Sequence, residues 1–381
     1  MAFITIKIFD RTLIVYDQSQ TTETMGIKGL CQFLRGKHPD TYERIHITEY
    51  AYQKVAIDTS VYLYKFRGRR GEAWLGSFIN LVACLRRNQI HCVFVYDTGA
   101  VPEKQHTKDE RASTRAKTKD TMDAIEDALN EHKTTGVISE EMASLHQQIK
   151  GKHTTPARLL GPPPPAHPRD ISRDLEQELF KLQNMFPRSE DFALTKELFD
   201  ILKVPWVDAP MEAETTCSDF CRRGIVKAVL SEDSDVIAYG SPVLLPGLDI
   251  ASGECDRVAY DNVLESLNMT PEMFTDFCIM CGTDYNTNIK GVGPVEACKL
   301  ITAHGSIDTI GEKTARDISI LNHVRGRELF TEYEQPDVTI PYCAQPDFRK
   351  LKQFMDHHNI PMSMATLKES FAHKKIVFDV E

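Results

Sequence analysis

The chain has 381 residues, of which 41% are hydrophobic and 26% are charged, and its formal net charge is −10. This composition is typical of a folded soluble protein with a large core, and the length favours two to three domains. It excludes a membrane-spanning chain, because no apolar run approaches the ~20 residues that a membrane span needs. The net charge disfavours a general nucleic-acid coat but allows a local basic surface.

The first segment, residues 1–24, alternates apolar and polar residues and then becomes polar. It lacks the cationic start and the cleavage site of a secretory signal, so we expect an added strand or an extended tail on an intracellular protein. The ten cysteines have no regular framework spacing, which favours reduced thiols. The pairs Cys217/Cys221 and Cys278/Cys281 allow a zinc site, but their apolar, helix-like surroundings favour small buried core residues.

Three short apolar runs rich in valine, isoleucine and aromatic residues predict buried strands over 52–58, 90–97 and 225–233. The segment 75–88, between the first two, has the pattern of an amphipathic helix. Strands that alternate with helices predict an α/β core with a mostly parallel sheet. Ligands of such sheets gather at the carboxyl ends of the strands, so we expect the functional site at that edge.

The next part of the chain is helical with one interruption. Residues from about 103 to 150 are charged and favour helix, and helical periodicity returns over 171–186 and 190–204. The proline run within 151–170 is incompatible with a helix and predicts a polyproline-like connector. Beyond residue 270 the sequence predicts helices joined by glycine-rich turns.

Acidic residues recur where these elements end. Each predicted strand runs directly into an aspartate, and further acids stand at a predicted helix start and in a glycine-containing turn. The set consists of Asp58, Asp97, Glu212, Glu214, Glu232, Asp233, Asp235 and Asp284. Any one of them is better explained as a helix cap or a solvated charge. The recurrence at strand ends favours a shared pocket for the set.

Carboxylates that share a pocket need a cation. Two of them ~5 Å apart repel by about 3 kcal/mol at an effective dielectric near 20. Hard, oxygen-seeking Mg²⁺ is the natural counter-ion for a carboxylate cluster without histidine. Two such ions about 4 Å apart activate water and stabilise the leaving oxygen in phosphodiester hydrolysis. The acids therefore predict a metal-dependent site for phosphodiester cleavage.

Basic residues follow the second predicted strand. Lys104, Lys108, Arg111 and Arg115 have the spacing i, i+4, i+7, i+11, which places them on one face of a helix. A solvated charged face explains this spacing equally well. Their position just after Asp97 favours a stripe that overhangs the proposed metal site and binds phosphates.

Two further features point to nucleic acid. Lys290 and the sequence Gly291-x-Gly293-Pro precede a predicted helix, where free backbone N–H groups bind phosphate without base specificity. A plain tight turn is the alternative. Tyr64, which lies one or two helical turns beyond Asp58, is placed to stack on a base near the cut site. A core aromatic is an equally good interpretation of Tyr64.

Six motifs occur in order along the chain. They are MGIKGL (25–30), VAIDTSVYLYKF (55–66), VFVYDTG (93–99), DAPMEAE (208–214), SEDSDVIAYGSPVLL (231–245) and GTDYNTNIKGVGP (282–294). Together they resemble the flap endonucleases of the XPG-like structure-specific 5′-nuclease superfamily. The resemblance extends from residue 25 to about residue 355, and the combination is highly specific although no single motif is.

The resemblance implies an α/β fold with a mostly parallel central sheet flanked by helices (a PIN-like nuclease core), a helical arch and a helix–two-turn–helix DNA-binding element. It implies two Mg²⁺ ions, for which Mn²⁺ substitutes, and a K⁺ ion at the helix–two-turn–helix. The implied metal ligands, direct or through water, are Asp58, Asp97, Glu212, Glu214, Asp233, Asp235 and Asp284. Glu232 matches an acidic position beside the ligands, and Lys104 and Arg111 match the catalytic basic residues at the base of the arch. The resemblance implies DNA contacts at Tyr64, Gly291 and Gly293, and we expect further contacts at Lys108 and Arg115 of the basic stripe and at Lys290.

The predicted division of the chain follows from this resemblance. It comprises an N-terminal extension (1–24), the first part of the nuclease core (25–102), the arch with its proline-rich insert (103–190), the internal part of the core (191–285), the helix–two-turn–helix with following helices (286–355) and a C-terminal tail (356–381). Three features depart from the family's pattern. Gly26 is preceded by 25 residues, the 103–190 stretch is longer than the usual arch, and Val295-Glu296 stands where the family tends to be basic.

The expected activity is Mg²⁺-dependent cleavage of branched DNA at a 5′ flap, near the junction of single strand and duplex, with 5′-exonuclease activity, in DNA replication or repair. One alternative is a bubble- or junction-specific nuclease or a pure 5′-exonuclease of the same superfamily. Others are a non-catalytic DNA-binding scaffold, and a ribonuclease of related fold, which explains the acids but not the Gly-Val-Gly-Pro element.

The C-terminal segment LKESFAHKKIVFDVE has neither a clear sliding-clamp motif nor a strongly basic tail, so a clamp partner is not expected. We expect a monomer without membrane attachment. Its expected location is the nucleus or, for a viral member, the site of viral DNA replication.

Overall fold

The computed structural model of the protein describes residues 26–153, 168–333 and 335–372. The predicted N-terminal extension, most of the predicted proline connector and the end of the predicted tail lie outside these ranges. The strands within them are β1 Glu43–His46, β2 Lys54–Asp58, β3 His91–Tyr96, β4 Trp206–Asp208, β5 Ala228–Leu230, β6 Val243–Leu244 and β7 Glu254–Ala259. The helices are α1 Leu30–Lys37, α2 Thr59–Arg70, α3 Trp74–Arg87, α4 Gln105–Thr135, α5 Glu140–His153, α6 Pro168–Gln183, α7 Ser189–Leu202, α8 Ala213–Arg222, α9 Asp235–Ala238, α10 Tyr260–Leu267, α11 Pro271–Cys281, α12 Pro294–His304, α13 Ile307–Lys313, α14 His323–Thr331, α15 Phe348–His357 and α16 Met364–Ser370.

The seven strands form one sheet in the order β1-β7-β6-β5-β2-β3-β4. β2 lies between β3 and β5 and is parallel to both, with Ile57 level with Phe94 and Leu230. β4 and β6 continue the parallel arrangement, whereas β7 pairs antiparallel with both β6 and β1. The prediction of a mostly parallel α/β sheet is confirmed, and an antiparallel edge adds to it.

Two of the predicted strands match β2 and β3 to within two residues, but the third is shorter than predicted. The sequence predicts it over 225–233, and the structure confines β5 to Ala228–Leu230. The chain leaves the sheet at Ser231, whose hydroxyl oxygen accepts a hydrogen bond from the Asp233 N–H at 3.0 Å. This turn redirects the backbone into α9, so the acids of this segment follow the strand instead of extending it.

Helices cover both faces of the sheet. On one face Phe220 of α8 and Phe277 of α11 belong to the core, and on the other face Phe78 of α3 and Phe199 of α7 do so. The ring of Phe199 stacks on that of Phe94 in β3, with the centroids 3.8 Å apart. Because both faces are buried, the central parallel strands have nearly continuous apolar sequences.

The two cysteine pairs belong to these cores. Cys217 and Cys221 are buried on α8, and Cys278 and Cys281 are buried on α11, all as free thiols. The prediction that they are small buried core residues is confirmed. None of the helices in the described ranges has the length and the continuous apolar character that crossing a lipid bilayer requires.

Helices α4, α5 and α6 pack together over the predicted arch region. α4 has 31 residues and is therefore about 45 Å long at a rise of 1.5 Å per residue. It ends at Gly136, whose φ of 71° suits the left-handed C-cap. The three helices share a small core of Ile125, Ala128, Leu129, Met142 and Leu175. α6 begins at Pro168, inside the predicted connector, because proline is well accepted at the first position of a helix.

The end of this three-helix unit is joined to α2 by a buried ion pair. Arg67 of α2 donates to both oxygens of Asp191, at 2.8 and 2.9 Å, and to Asn184 Oδ1 at 3.1 Å. Arg67 and Asp191 are only 6% and 4% exposed. Asn184 follows α6 and Asp191 lies in the first turn of α7. Helix α2, which begins directly after Asp58, is thus fixed to the segment that connects α6 to α7 at the end of the arch region.

Helices joined by glycine-containing turns follow residue 270, as predicted. Gly291 has a φ of 82°, and Gly293 is the N-cap residue of α12. Arg327 of α14 donates to both oxygens of Asp276 in α11, at 2.6 and 2.7 Å. The same carboxylate accepts the N–H of Ile307, at the start of α13, at 2.9 Å. Asp276 therefore holds three of these helices in one arrangement.

Candidate active site

Acidic side chains from separate elements meet at the carboxyl edge of the parallel strands. Asp58 is the last residue of β2, Asp97 follows β3, and Asp233 and Asp235 follow β5. Asp58 lies close enough to Asp97, Glu214 and Asp233 that their charges act on it. The acids converge because neighbouring parallel strands end at the same edge of a sheet.

Helix α8 brings two more acids to this edge. Glu212 is the N-cap residue of α8, and Glu214 lies in its first turn. The N–H of Ala213 donates to Asp97 Oδ1 at 2.7 Å, which fixes the start of α8 against the end of β3. Glu212 and Glu214 are only 4% and 6% exposed, so their charges are almost completely removed from water.

The ammonium of Lys104 lies among these acids, directly before α4. Its Nζ is 2.6 Å from Glu212 Oε1, 3.0 Å from Glu214 Oε1 and 3.6 Å from Asp284 Oδ2. Burial by itself lowers the pKa of Lys104, but the charges of Glu214, Glu212 and Asp235 outweigh burial and raise this pKa above the usual lysine value. Lys104 is therefore a permanent positive charge inside the acid cluster at neutral pH.

The first turns of α4 face the same cluster. Arg111 NH2 is 3.2 Å from Asp284 Oδ2, and the Arg111 side chain is 60% exposed. Thr107 Oγ1 donates to the backbone carbonyl of Asp284 at 3.3 Å. Lys108 is exposed on the same helix, between Lys104 and Arg111 in sequence. Arg111 thus lies at the rim of the cluster, in contact with an acid and open to solvent.

Further along α4, Arg115 lies beside two aromatic rings. It donates to the Tyr64 hydroxyl, and its guanidinium is 5.4 Å from the centroid of the Phe186 ring. Tyr64 is only partly buried. Of the two interpretations of Tyr64, the structure therefore favours an aromatic at the edge of the basic stripe over one inside a core.

Crowding and burial raise the pKa values of the acids. Burial, followed by the charge of Glu214, raises the pKa of Asp233 and that of Glu212 to about 7. Burial and neighbouring carboxylates likewise raise the pKa values of Asp58 and Asp235 well above the usual aspartate range. Full ionisation of these acids is therefore disfavoured unless further positive charge is added to the cluster.

The carboxylate oxygens of the cluster are the donor type that a hard divalent cation prefers, although within the described residues their present arrangement does not form a metal site. Asp235 Oδ1 is buried without any hydrogen-bond partner among the described residues. A buried acceptor without a donor is costly, and a cation satisfies it. As the side chains stand, no group of three or more His, Cys, Asp or Glu residues within 26–153, 168–333 and 335–372 is arranged to hold a metal ion. The Lys104 ammonium provides positive charge among Glu212, Glu214 and Asp284.

Comparison with known proteins agrees with the order of the motifs and with the position of the acids. Residues 25–118 match the model of the XPG N-terminal domain, and residues 203–284 match that of the XPG I-region. A probable RAD2-like endonuclease of invertebrate iridescent virus 3 is 34% identical over 339 residues, which cover 80% of this chain and 85% of that protein. Flap endonuclease 1 of Ostreococcus lucimarinus is 31% identical over 336 residues, which cover 83% of this chain and 75% of that protein.

The chain belongs to the XPG-like structure-specific nucleases. Solved structures agree at the level of the fold. The catalytic core of Rad2 in complex with DNA substrate aligns with a TM-score of 0.62 at 16% identity, covering 91% of this chain and 98% of that one. Flap endonuclease-1 from Methanococcus jannaschii aligns with a TM-score of 0.56 at 20% identity, covering 86% and 94%.

The second phosphate-binding candidate of this XPG-like nuclease lies on a turn of its own. Lys290 and Gly291 are exposed, and Gly293 starts α12. The exposed side chain of Val295 and the pairing of Glu296 with Arg316 at 2.8 Å leave little positive charge on the first turn of α12. Backbone N–H groups of the turn are therefore the main candidates for binding a phosphate at this position.

Glu232 is the one predicted acid whose side chain contacts lie elsewhere. Its carboxylate accepts from the Lys65 ammonium and, at 3.1 Å, from the N–H of Gly247. This pairing ties α2 to the segment after β6. These contacts lie outside the acid cluster, and the position of Glu232 beside the metal ligands stays a prediction.

Sequence reasoning missed several residues that shape the XPG-like site. Ser60 donates to Asp97 Oδ2, and Tyr285 donates to Glu212 Oε2 at 2.9 Å. Gly26 has a φ of 81°, and a Cβ atom there would lie 2.2 Å from Asp233 Oδ1, so this close approach requires glycine. Gly26 and Tyr285 lie inside two of the six ordered motifs, so the sequence did indicate that these segments belong to the site. The spacing of residues does not show which side chains contact each other, so their partners could not be predicted.

Proposed function

We propose that this XPG-like nuclease is a divalent-metal-dependent 5′ flap endonuclease with 5′-exonuclease activity that acts on branched DNA in replication or repair. The observation that carries the proposal is the convergence of buried carboxylates at the strand ends, with Lys104 among them and the base of α4 above them. The proposed metal ligands, direct or through water, are Asp58, Asp97, Glu212, Glu214, Asp233, Asp235 and Asp284.

Magnesium is the proposed cofactor, as two ions per site, and Mn²⁺ is expected to replace it. When bound, the ions supply an activated water and neutralise charge on the phosphate and the leaving oxygen. The partnerless Asp235 Oδ1 and the raised pKa values of Asp233 and Asp235 support a site in which bound cations replace protons as the balancing charge.

Lys104 and Arg111 are the proposed catalytic residues. In this structure they pair with carboxylates, at 2.6 Å for Lys104 to Glu212 and 3.2 Å for Arg111 to Asp284. Once those carboxylates are otherwise neutralised, the two cations are available to donate to the oxygens of a scissile phosphate at the same place. Both lie at the start of α4, so a strand passing beneath the arch meets them together.

The proposed DNA path has two parts. Lys108, Arg115 and Tyr64 border the α4 side, where a basic stripe and an aromatic ring suit a single strand. Lys290, Gly291 and Gly293 offer backbone N–H groups at the start of α12 to the duplex, and a K⁺ ion is proposed at this turn. The proposal also keeps four predictions from the sequence. They are the domain boundaries, the monomeric state, the absence of a sliding-clamp partner, and a location in the nucleus or at the site of viral DNA replication.

Labelled 5′-flap DNA, incubated with and without Mg²⁺, tests the proposal. We expect cleavage near the junction that depends on Mg²⁺ and is lost in Asp233→Ala. Bubble, gapped and Holliday-junction substrates in the same assay identify the alternative specificities, and single-stranded RNA identifies the ribonuclease. Absence of cleavage on every substrate, with DNA binding intact, would replace the proposal by the non-catalytic scaffold.

A further inference from the structure

Two buried tyrosines lie directly behind the acid cluster. The hydroxyl of Tyr285 donates to Glu212 Oε2 at 2.9 Å, while Glu212 Oε1 faces the Lys104 ammonium at 2.6 Å. The Tyr239 hydroxyl in turn pairs with that of Tyr285. The centroid of the Tyr285 ring is 5.3 Å from Lys104 Nζ, within reach of a cation–π contact. Tyr285 thus contacts both a proposed metal ligand and a proposed catalytic cation.

The direction of the hydrogen bonds is set by the carboxylate. An ionised Glu212 only accepts, so Tyr285 must give its single proton to Glu212 Oε2. The Tyr285 oxygen then accepts the proton of Tyr239. Each bond in such a buried chain polarises the next, which strengthens the bond to the charged end. Oε2 of Glu212 is therefore held by Tyr285, and Oε1 points toward the Lys104 ammonium inside the cluster.

Aromatic packing holds the tyrosine pair in place from behind. The ring of Phe330 in α14 lies 5.7 Å from that of Tyr285 and 5.0 Å from that of Tyr239. The ring of Tyr333 lies edge-on to Tyr239 at 5.7 Å, and its hydroxyl bonds to Arg222 of α8. Tyr239 and Tyr285 are only 2% and 5% exposed. Their hydroxyls thus have few alternative positions.

We propose that Tyr285 and Tyr239 are positioning residues that present Glu212 to a divalent cation, with Tyr239 acting only through Tyr285. This inference rests on the proposed function, because it assigns Glu212 to the metal site. A partner that orients a metal-binding side chain typically contributes 10–100-fold to metal affinity. The tyrosine pair is therefore expected to tune cation affinity more than the fold itself.

Isothermal titration of the full-length protein with Mg²⁺ tests this inference. We expect Tyr285→Phe to weaken Mg²⁺ binding by about tenfold and Tyr239→Phe to weaken it less. The double variant should bind as Tyr285→Phe does, since residues that act through one another are not additive. Tyr50→Phe is the control, because Tyr50 is buried away from the cluster and bonds to Arg257. Raised Mg²⁺ should restore the single-turnover cleavage rate of Tyr285→Phe on flap DNA.

Three outcomes would overturn the inference: a Tyr285→Phe affinity equal to that of the wild type, a double variant weaker by the product of the two single effects, or an equal loss in Tyr50→Phe. Circular dichroism shows whether each variant folds. If Tyr285→Phe does not fold, a Mg²⁺ affinity of Tyr239→Phe equal to that of the wild type is sufficient to overturn the inference. A wild type that neither binds Mg²⁺ nor cleaves rejects the proposed function and this inference together. A wild type that binds and cleaves while the variants match it rejects only the tyrosine role.

Discussion

Replacement of Lys104 by methionine probes the electrostatics of the acid cluster directly. The change keeps an unbranched side chain but removes a buried charge 2.6 Å from Glu212 Oε1 and 3.0 Å from Glu214 Oε1. Loss of one partner of a buried ion pair typically costs about 3–5 kcal/mol, because the remaining charges stay buried without compensation. We expect the free energy of unfolding of K104M, in chelator at pH 8, to fall by about this amount.

Both pH and metal should change this difference in a defined direction. Burial and the charge of Glu214 raise the pKa of Glu212 to about 7, so at pH 6 this acid is mostly protonated and needs less compensation. The deficit of K104M should therefore be smaller at pH 6 than at pH 8. Saturating Mg²⁺ supplies positive charge to the same carboxylates and should also reduce the deficit.

Urea unfolding followed by circular dichroism measures these differences, at both pH values, with chelator and with Mg²⁺. Arg111→Met is the matched control, since its side chain is 60% exposed and pairs only at the rim. It should lose less than about 1 kcal/mol under all four conditions. Equal stability of K104M and the wild type at pH 8 without metal would refute the view that Lys104 compensates the acids.

Three further predictions concern single acids. Burial and a neighbouring carboxylate raise the pKa of Asp233 from 3.8 to about 7, and such an acid stabilises the fold only while it is protonated. In chelator the wild type should therefore lose stability relative to Asp233→Asn as pH rises from about 4 to 7, by at most about 4 kcal/mol; a constant difference in urea midpoint would contradict this. Asp97→Ala and Asp233→Ala should abolish cleavage of labelled flap DNA and leave DNA binding, measured by fluorescence anisotropy, unchanged. Cleavage at the wild-type rate by either variant would show that the replaced residue does not belong to the site. Asp191→Asn should cost about 3–5 kcal/mol of unfolding free energy because Arg67 is left buried without its partner, whereas an effect below about 1 kcal/mol would mean that water reaches the pair.

The acids at strand ends were predictable because their signal is local. Asp58 and Asp97 each follow a run of apolar strand residues, and parallel neighbours necessarily bring such ends together. The helix 75–88 matched α3 to one residue, since its apolar face has a clear helical period. Where a feature depends on residues that are adjacent in sequence, the sequence was sufficient.

Features that depend on distant residues were not predictable in the same way. Strand β6 has only two residues, which is too short for a recognisable periodicity. Strand β7 pairs with β6 and with β1, and β1 lies more than 200 positions earlier in the chain, so no local turn signal predicts the antiparallel edge. The contact of Lys104 with Glu212 and that of Tyr285 with Glu212 likewise join residues far apart in sequence. The sequence predicted a basic residue near the acids but not that its ammonium lies among them.

The ion pair of Arg67 with Asp191 limits how the arch region can move. Lys104 holds one end of the three-helix unit among the acids, and the buried guanidinium holds the other end on α2. Detachment at either end would leave a buried charge without its partner, whereas the interior of the unit is held by five buried apolar side chains and by partly buried ones packed against them, such as Leu145, Ile149 and Leu179. We therefore expect the space beneath α4 to widen by bending within the three helices, while Lys104 stays paired with Glu212 and Arg67 with Asp191.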